Sequence, residues 1–101
     1  MADERDEKLD EQIARGSEAR ALLANKMLQE TLALMKHEVI EKWAACPARD
    51  VKGREWLWQF YQSTLKFEEK LVEVMNTGKL SFQEKQMSLM EKVRSFTRRQ
   101  A

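Results

Sequence analysis

The chain has 101 residues, 43% of them hydrophobic and 35% charged, with three Gly, one Pro and one Cys. That length suits one domain, and so little Gly and Pro excludes a turn-rich β-sandwich, a Gly-rich phosphate loop and a collagen-like repeat. A formal net charge of +1 marks neither a nucleic-acid protein nor a membrane-surface protein, and apolar residues recur often enough to exclude wholesale disorder.

The first twenty residues carry seven acids and four bases, which is no signal peptide, and no apolar run approaches the ~20 residues of a membrane span. Residues 1–16 read as an acidic N-terminal extension, helical or loose, in which Leu9 and Ile13 begin a weak apolar stripe. Gly16-Ser17 interrupts the stripe and marks a kink or a boundary, with Ser17 as the cap of the helix beyond it. Residues 17–101 then form a single helical domain. Its first helix, about 17–46, collects Leu28, Leu32, Met35, Val39 and Trp43 on one face through spacings of three and four. Pro47 ends it, because the residue before a proline resists the α conformation.

Asp50 is placed to cap a second helix, about 51–76. Leu57, Phe60, Thr64, Phe67, Leu71 and Val74 follow one another at alternating steps of three and four. That is a heptad seam, and it is expected to join subunits. Asn76-Thr77-Gly78 closes the helix, with Gly78 at a left-handed C′ position. Ser81 and Glu84 read as a capping box opening a third helix, about 82–98. Its apolar face carries Phe82, Leu89, Val93 and Phe96, joined by Met87 and Met90, with Gln86 at the remaining position. The fold class expected is all-α: an antiparallel helical hairpin plus a third C-terminal helix, oligomeric because so thin a core calls for further burial.

No catalytic constellation is found in the residue spacing. His37 is the only histidine, and if one helix carries it to Cys46 the two stand ~13 Å apart, too far for a nucleophile pair. Metal-ligand spacings such as His-x-x-His or Cys-x-x-Cys are absent from the sequence. The chain reads as a non-enzyme without cofactor or metal, and lone Cys46 suits a reducing compartment. Trp43, Trp56, Trp58 and Tyr61 flank the loop between the first two helices. They are the expected partner-binding patch, since Trp and Tyr are frequent hot-spot residues. Residues 79–101 hold six bases and two acids, and Lys92, Arg94, Arg98 and Arg99 are the residues that would touch duplex DNA. An acidic start and a basic finish also suit head-to-tail or antiparallel association.

Certain stretches also carry a resemblance. They are Ala21-Leu22-Leu23, Glu41-Lys42-Trp43, Pro47-Ala48-Arg49-Asp50, Gly53-Arg54-Glu55 and Thr77-Gly78-Lys79-Leu80. Across residues 15–82 the chain resembles small helical proteins encoded by tailed bacteriophages. The resemblance implies a phage origin, a place among virion or assembly genes, and no catalytic residue. In size and helicity the chain is also similar to small terminase subunits, which combine a helical hairpin, ring oligomerisation and basic DNA contacts; no separate helix-turn-helix is identified in it. The function expected is a non-enzymatic protein-protein interaction protein of a tailed phage, in virion structure or assembly, homo-oligomeric and bound to a phage structural or assembly protein. The alternative is a DNA-packaging small subunit. The bacterial host cytoplasm or the virion is its expected place, and no membrane partner is expected.

Overall fold

A computed structural model describes residues 4–100. The described residues form three α-helices and no strand: α1 (Glu4–Leu23), α2 (Lys26–Ala45) and α3 (Val51–Gln100). The all-α class expected from the spacing is observed. The chain divides into two compact units, one joining α1 as far as Arg20 with α3 from Glu73 onward, the other comprising Ala21–Val72.

Three boundaries differ from those expected, each for a physical reason. The first break falls at Leu23–Asn25 and not at Gly16-Ser17: residues 4–16, the described part of the expected extension, run on without interruption as the start of α1. Asn25 leaves the helical region (φ −70°, ψ 120°), and its side chain accepts from the Leu28 amide at 2.9 Å. This is N-capping, which satisfies one of the amides that a helix start leaves open. Gln29 closes the junction from the other side, its Nε2 donating to the Leu23 carbonyl at 2.8 Å. α1 itself starts with Glu4, Asp6 and Glu7 and ends with Arg20, charges that oppose its dipole at both ends.

The second and third differences concern α3, which runs unbroken for 50 residues through Asn76-Thr77-Gly78. Separate helices over 51–76 and 82–98 are therefore not observed. No described residue has positive φ, so Gly78 is not a left-handed cap. Gly78 serves helix contact: a Cβ on it would lie 2.8 Å from the Gly16 Cα and 3.0 Å from the Gln12 carbonyl oxygen. A Cβ on Gly16 would in turn meet the Gly78 Cα at 2.7 Å. Glycine costs about 1 kcal/mol inside a helix; here that cost permits the backbones of α1 and α3 to touch. Ser81, one turn on, is buried inside α3, and its hydroxyl donates to Gln12 Oε1 at 2.6 Å. It therefore caps nothing, and the expected box partner Glu84 pairs with Arg5. Lys85 pairs with Asp10 beside them.

In the second unit, Leu32 and Val39 of α2 and Leu57 and Thr64 of α3 are buried. Lys36 meets Glu68 at 2.5 Å with both side chains largely covered. The turn between α2 and α3 holds Asp50 N–H on the Pro47 carbonyl at 3.0 Å. Asp50 caps α3 as expected, its Oδ1 accepting from the Gly53 amide at 3.0 Å.

Candidate interaction surface

The aromatic residues around the α2–α3 turn are held by Arg54. Its Nη1 donates to the Cys46 carbonyl at 3.0 Å and its guanidinium lies 4.1 Å from the centre of the Trp43 ring. The side chain thus closes the C-terminal end of α2, where a cation opposes the helix dipole, and stacks on an aromatic face.

Trp43, Trp58 and Tyr61 share one shallow apolar depression with Val39, Ile40 and Leu57. Trp56 lies outside it. Two positions on an α-helix turn the side chain by roughly 200°, so Trp56 stacks instead on Phe60, with ring centres 5.6 Å apart. The patch expected as one is two. All three tryptophans remain open to solvent, at 46% for Trp43, 61% for Trp56 and 58% for Trp58. Phe60 borders a second apolar groove with Leu28, Met35 and Phe67.

The expected oligomer seam is likewise divided. Leu57 and Thr64 are buried within the chain, Leu71 is half-buried, and Phe60, Phe67 and Val74 are exposed. The face of α3 that packs in the two units steps through Leu57, Tyr61, Thr64, Glu68, Leu71, Met75 and Gly78, so the expected register is displaced by one residue at every second position. Leu57 and Thr64 are consequently not available to join subunits. Sequence spacing missed this because Glu68 and Gly78 do not read as core residues.

Cys46 and His37 are engaged separately. His37 Nε2 lies 2.8 Å from Glu41 Oε1 on an exposed face, whereas the Cys46 thiol donates to Asp50 Oδ2 at 3.7 Å. Burial, and then the charge and hydrogen bond of Asp50, push the Cys46 thiol above its ordinary value, with Arg54 opposing. The thiol should therefore react with a disulfide reagent more slowly than free cysteine does at mildly alkaline pH. Asp50→Asn removes the anionic neighbour and should quicken the reaction; a rate unchanged in that variant would show that Asp50 does not hold the proton. Because the fold favours the protonated thiol, the stability it contributes is present at neutral pH and is lost as pH rises through the folded thiol's range.

Among the described residues, no group of three or more His, Cys, Asp or Glu is placed to hold a metal ion. Nor is any described helix long and apolar enough to cross a membrane. Lys92, Arg94, Arg98 and Arg99 are all exposed, as is every residue from Leu89 to Arg99. Together these features define an all-α chain with uncovered apolar faces. Comparison with protein-family models, curated proteins and solved structures gives no match.

Proposed function

We propose that this protein is a non-enzymatic helical interaction protein that works by assembly, with copies of itself and with a further protein. In this reading α2 and the first half of α3 form an antiparallel hairpin whose closed end carries the partner-binding aromatics. The observation that supports it is the balance of exposure. Nineteen large apolar side chains are exposed among the described residues, against four buried ones, Leu9, Leu32, Val39 and Leu57, and none of the large side chains is fully enclosed. Large contiguous apolar surface on one chain is the usual mark of a protein–protein contact. The proposed setting for that assembly, virion structure or morphogenesis of a tailed phage, rests on the resemblance of residues 15–82 to small phage proteins alone.

Light scattering and tryptophan emission test the reading together. The expected outcome is a discrete oligomer whose emission shifts to the blue when a virion or assembly protein of the same phage is added, as Trp43, Trp56 or Trp58 leaves water. A one-copy mass with emission unmoved by any such protein counts against it. A second reading, a DNA-packaging small subunit, is favoured by the exposure of Lys92, Arg94, Arg98 and Arg99. It requires binding to duplex DNA that falls steeply with salt and weakens when residues 92–99 are removed.

A further inference from the structure

We infer that the last turns of α3 lie along an anionic lipid surface, with their apolar side chains inward and their cations at the headgroups. The inference goes beyond the assembly reading and departs from the expectation of no membrane partner. That expectation rested on the lack of a spanning run and on the charge of the whole chain. The charge here is local: residues 86–99 hold Lys92, Arg94, Arg98 and Arg99 against one acid, Glu91. A helix that lies in the interface needs one apolar face and not the length or apolarity of a span, which no described helix has.

The placing of those charges around the helix points to lipid. At about 100° per residue, Phe96, Leu89, Val93 and Met90 fall within an arc of roughly 120°. Lys92 and Arg99 lie beyond one edge of that arc, and Arg94 and Arg98 beyond the other. Glu91 and Ser95 point the opposite way, and Met87 is the one apolar side chain of residues 86–99 outside the arc. Every residue from Leu89 to Arg99 is exposed. Gly16 meets Gly78 and Asp10 pairs with Lys85, so α1 runs antiparallel to α3 and Glu4 falls level with about residue 90. Arg94 to Arg99 therefore extend past the described acids of α1. An apolar centre between two basic edges complements the boundary of an anionic bilayer. Acyl chains receive Leu89, Val93 and Phe96, while the long stems of Lys92 and the arginines lie along the apolar surface and carry their charges to lipid phosphates. Duplex DNA would meet the bases and leave the apolar arc in water.

The test uses the full chain and vesicles of phosphatidylglycerol mixed with phosphatidylcholine. At about 0.1 M salt the chain should sediment with these vesicles and not with phosphatidylcholine alone, and about 0.5 M salt should release most of it. Val93→Glu, at an exposed position, should weaken the binding about tenfold or more without loss of helical circular dichroism. An environment-sensitive dye reads which face is buried, in a Cys46→Ser background. On Leu89→Cys its emission should move to the blue when anionic vesicles are added; on Ser95→Cys, on the opposite side, it should not. Equal shifts at both positions, or none at either, overturn the arrangement, as does equal binding to neutral vesicles or binding that Val93→Glu leaves intact. A dye on Leu89→Cys already blue-shifted in buffer shows that protein covers the stripe and overturns it too. Binding to duplex DNA with none to vesicles assigns the bases to nucleic acid and again overturns it. Vesicle binding by a chain of one-copy mass supports this inference while the assembly reading fails.

Discussion

Leucine in place of Gly78 should destabilise the chain by about 3 kcal/mol or more, the upper end of what overpacking costs. At roughly 4–8 °C per kcal/mol for a chain of this size, thermal melts followed by circular dichroism should show a fall of at least about 12 °C. Alanine is the sharper probe. At an open position inside a helix, Gly→Ala raises stability by about 1 kcal/mol. At Gly78 the added methyl would lie 2.8 Å from the Gly16 Cα, and that neighbour is backbone, which cannot swing aside. The helices must separate, and contacts at Ser81 and Gln12 loosen with them. Gly78→Ala should therefore lower the melting temperature; a rise would mean that α1 and α3 do not touch there. Gly16→Ala should behave in the same way, and the double variant should cost less than the two singles together. Once the first methyl has parted the backbones, the second finds room already made.

The second large effect separates two readings of the α3 surface. Leu57→Ala should cost about 2–5 kcal/mol, because a buried leucine loses both its transfer free energy and its packing partners. Phe67→Ala should change folding stability by less than about 1 kcal/mol despite removing a larger side chain, since 49% of Phe67 is open to water. Chemical denaturation of the two variants at one protein concentration decides the matter. Equal losses would place Leu57 and Phe67 on one continuous buried seam. Thr64 gives a check in the same register. Its hydroxyl donates to the Phe60 carbonyl at 3.1 Å within the helix, so its burial leaves no donor unmet.

Much of the helix content was legible because spacing of three and four is a local property. Leu28 through Val39 and Leu57 through Leu71 repeat it clearly, and Pro47 and Asp50 mark the turn between them through the dihedral limits of proline and the capping geometry of aspartate. The glycines misled for a physical reason. Gly16 and Gly78 look alike whether the chain needs a positive φ there or needs the absence of a side chain, and only the helix lying opposite tells which. Ser81 was ambiguous in the same manner: with Glu84 three residues on, it reads as a capping box, yet Gln12, far away in sequence, takes its hydroxyl. Asn25 was the missed cap. Its signal was present, a residue suited to N-capping between two helical stretches, but no proline or glycine accompanied it.

The candidate surface divides along the same line. The helical turn between Trp56 and Trp58 points their side chains apart: one stacks on Phe60, the other lines the depression with Trp43 and Tyr61. Which residues of the heptad seam are inside was not legible. A stripe at 57, 60, 64, 67, 71 and 74 and one at 57, 61, 64, 68, 71 and 75 share half their members, and hydrophobicity alone prefers the first. The structure uses the second, because Lys36 reaches Glu68 and the Gly16–Gly78 contact fixes the register beyond it.

By itself, then, the sequence determined that the described chain is helical and where α2 ends and α3 begins; both depend on neighbours within a few turns. Only the tertiary structure decided that α3 is one helix, that Gly16 and Gly78 are contact points, and that Phe60, Phe67 and the stripe from Phe82 to Phe96 face outward. Those outcomes depend on which side chains lie across from one another, and residues as far apart as Gly16 and Gly78 carry no local mark of the partner they meet.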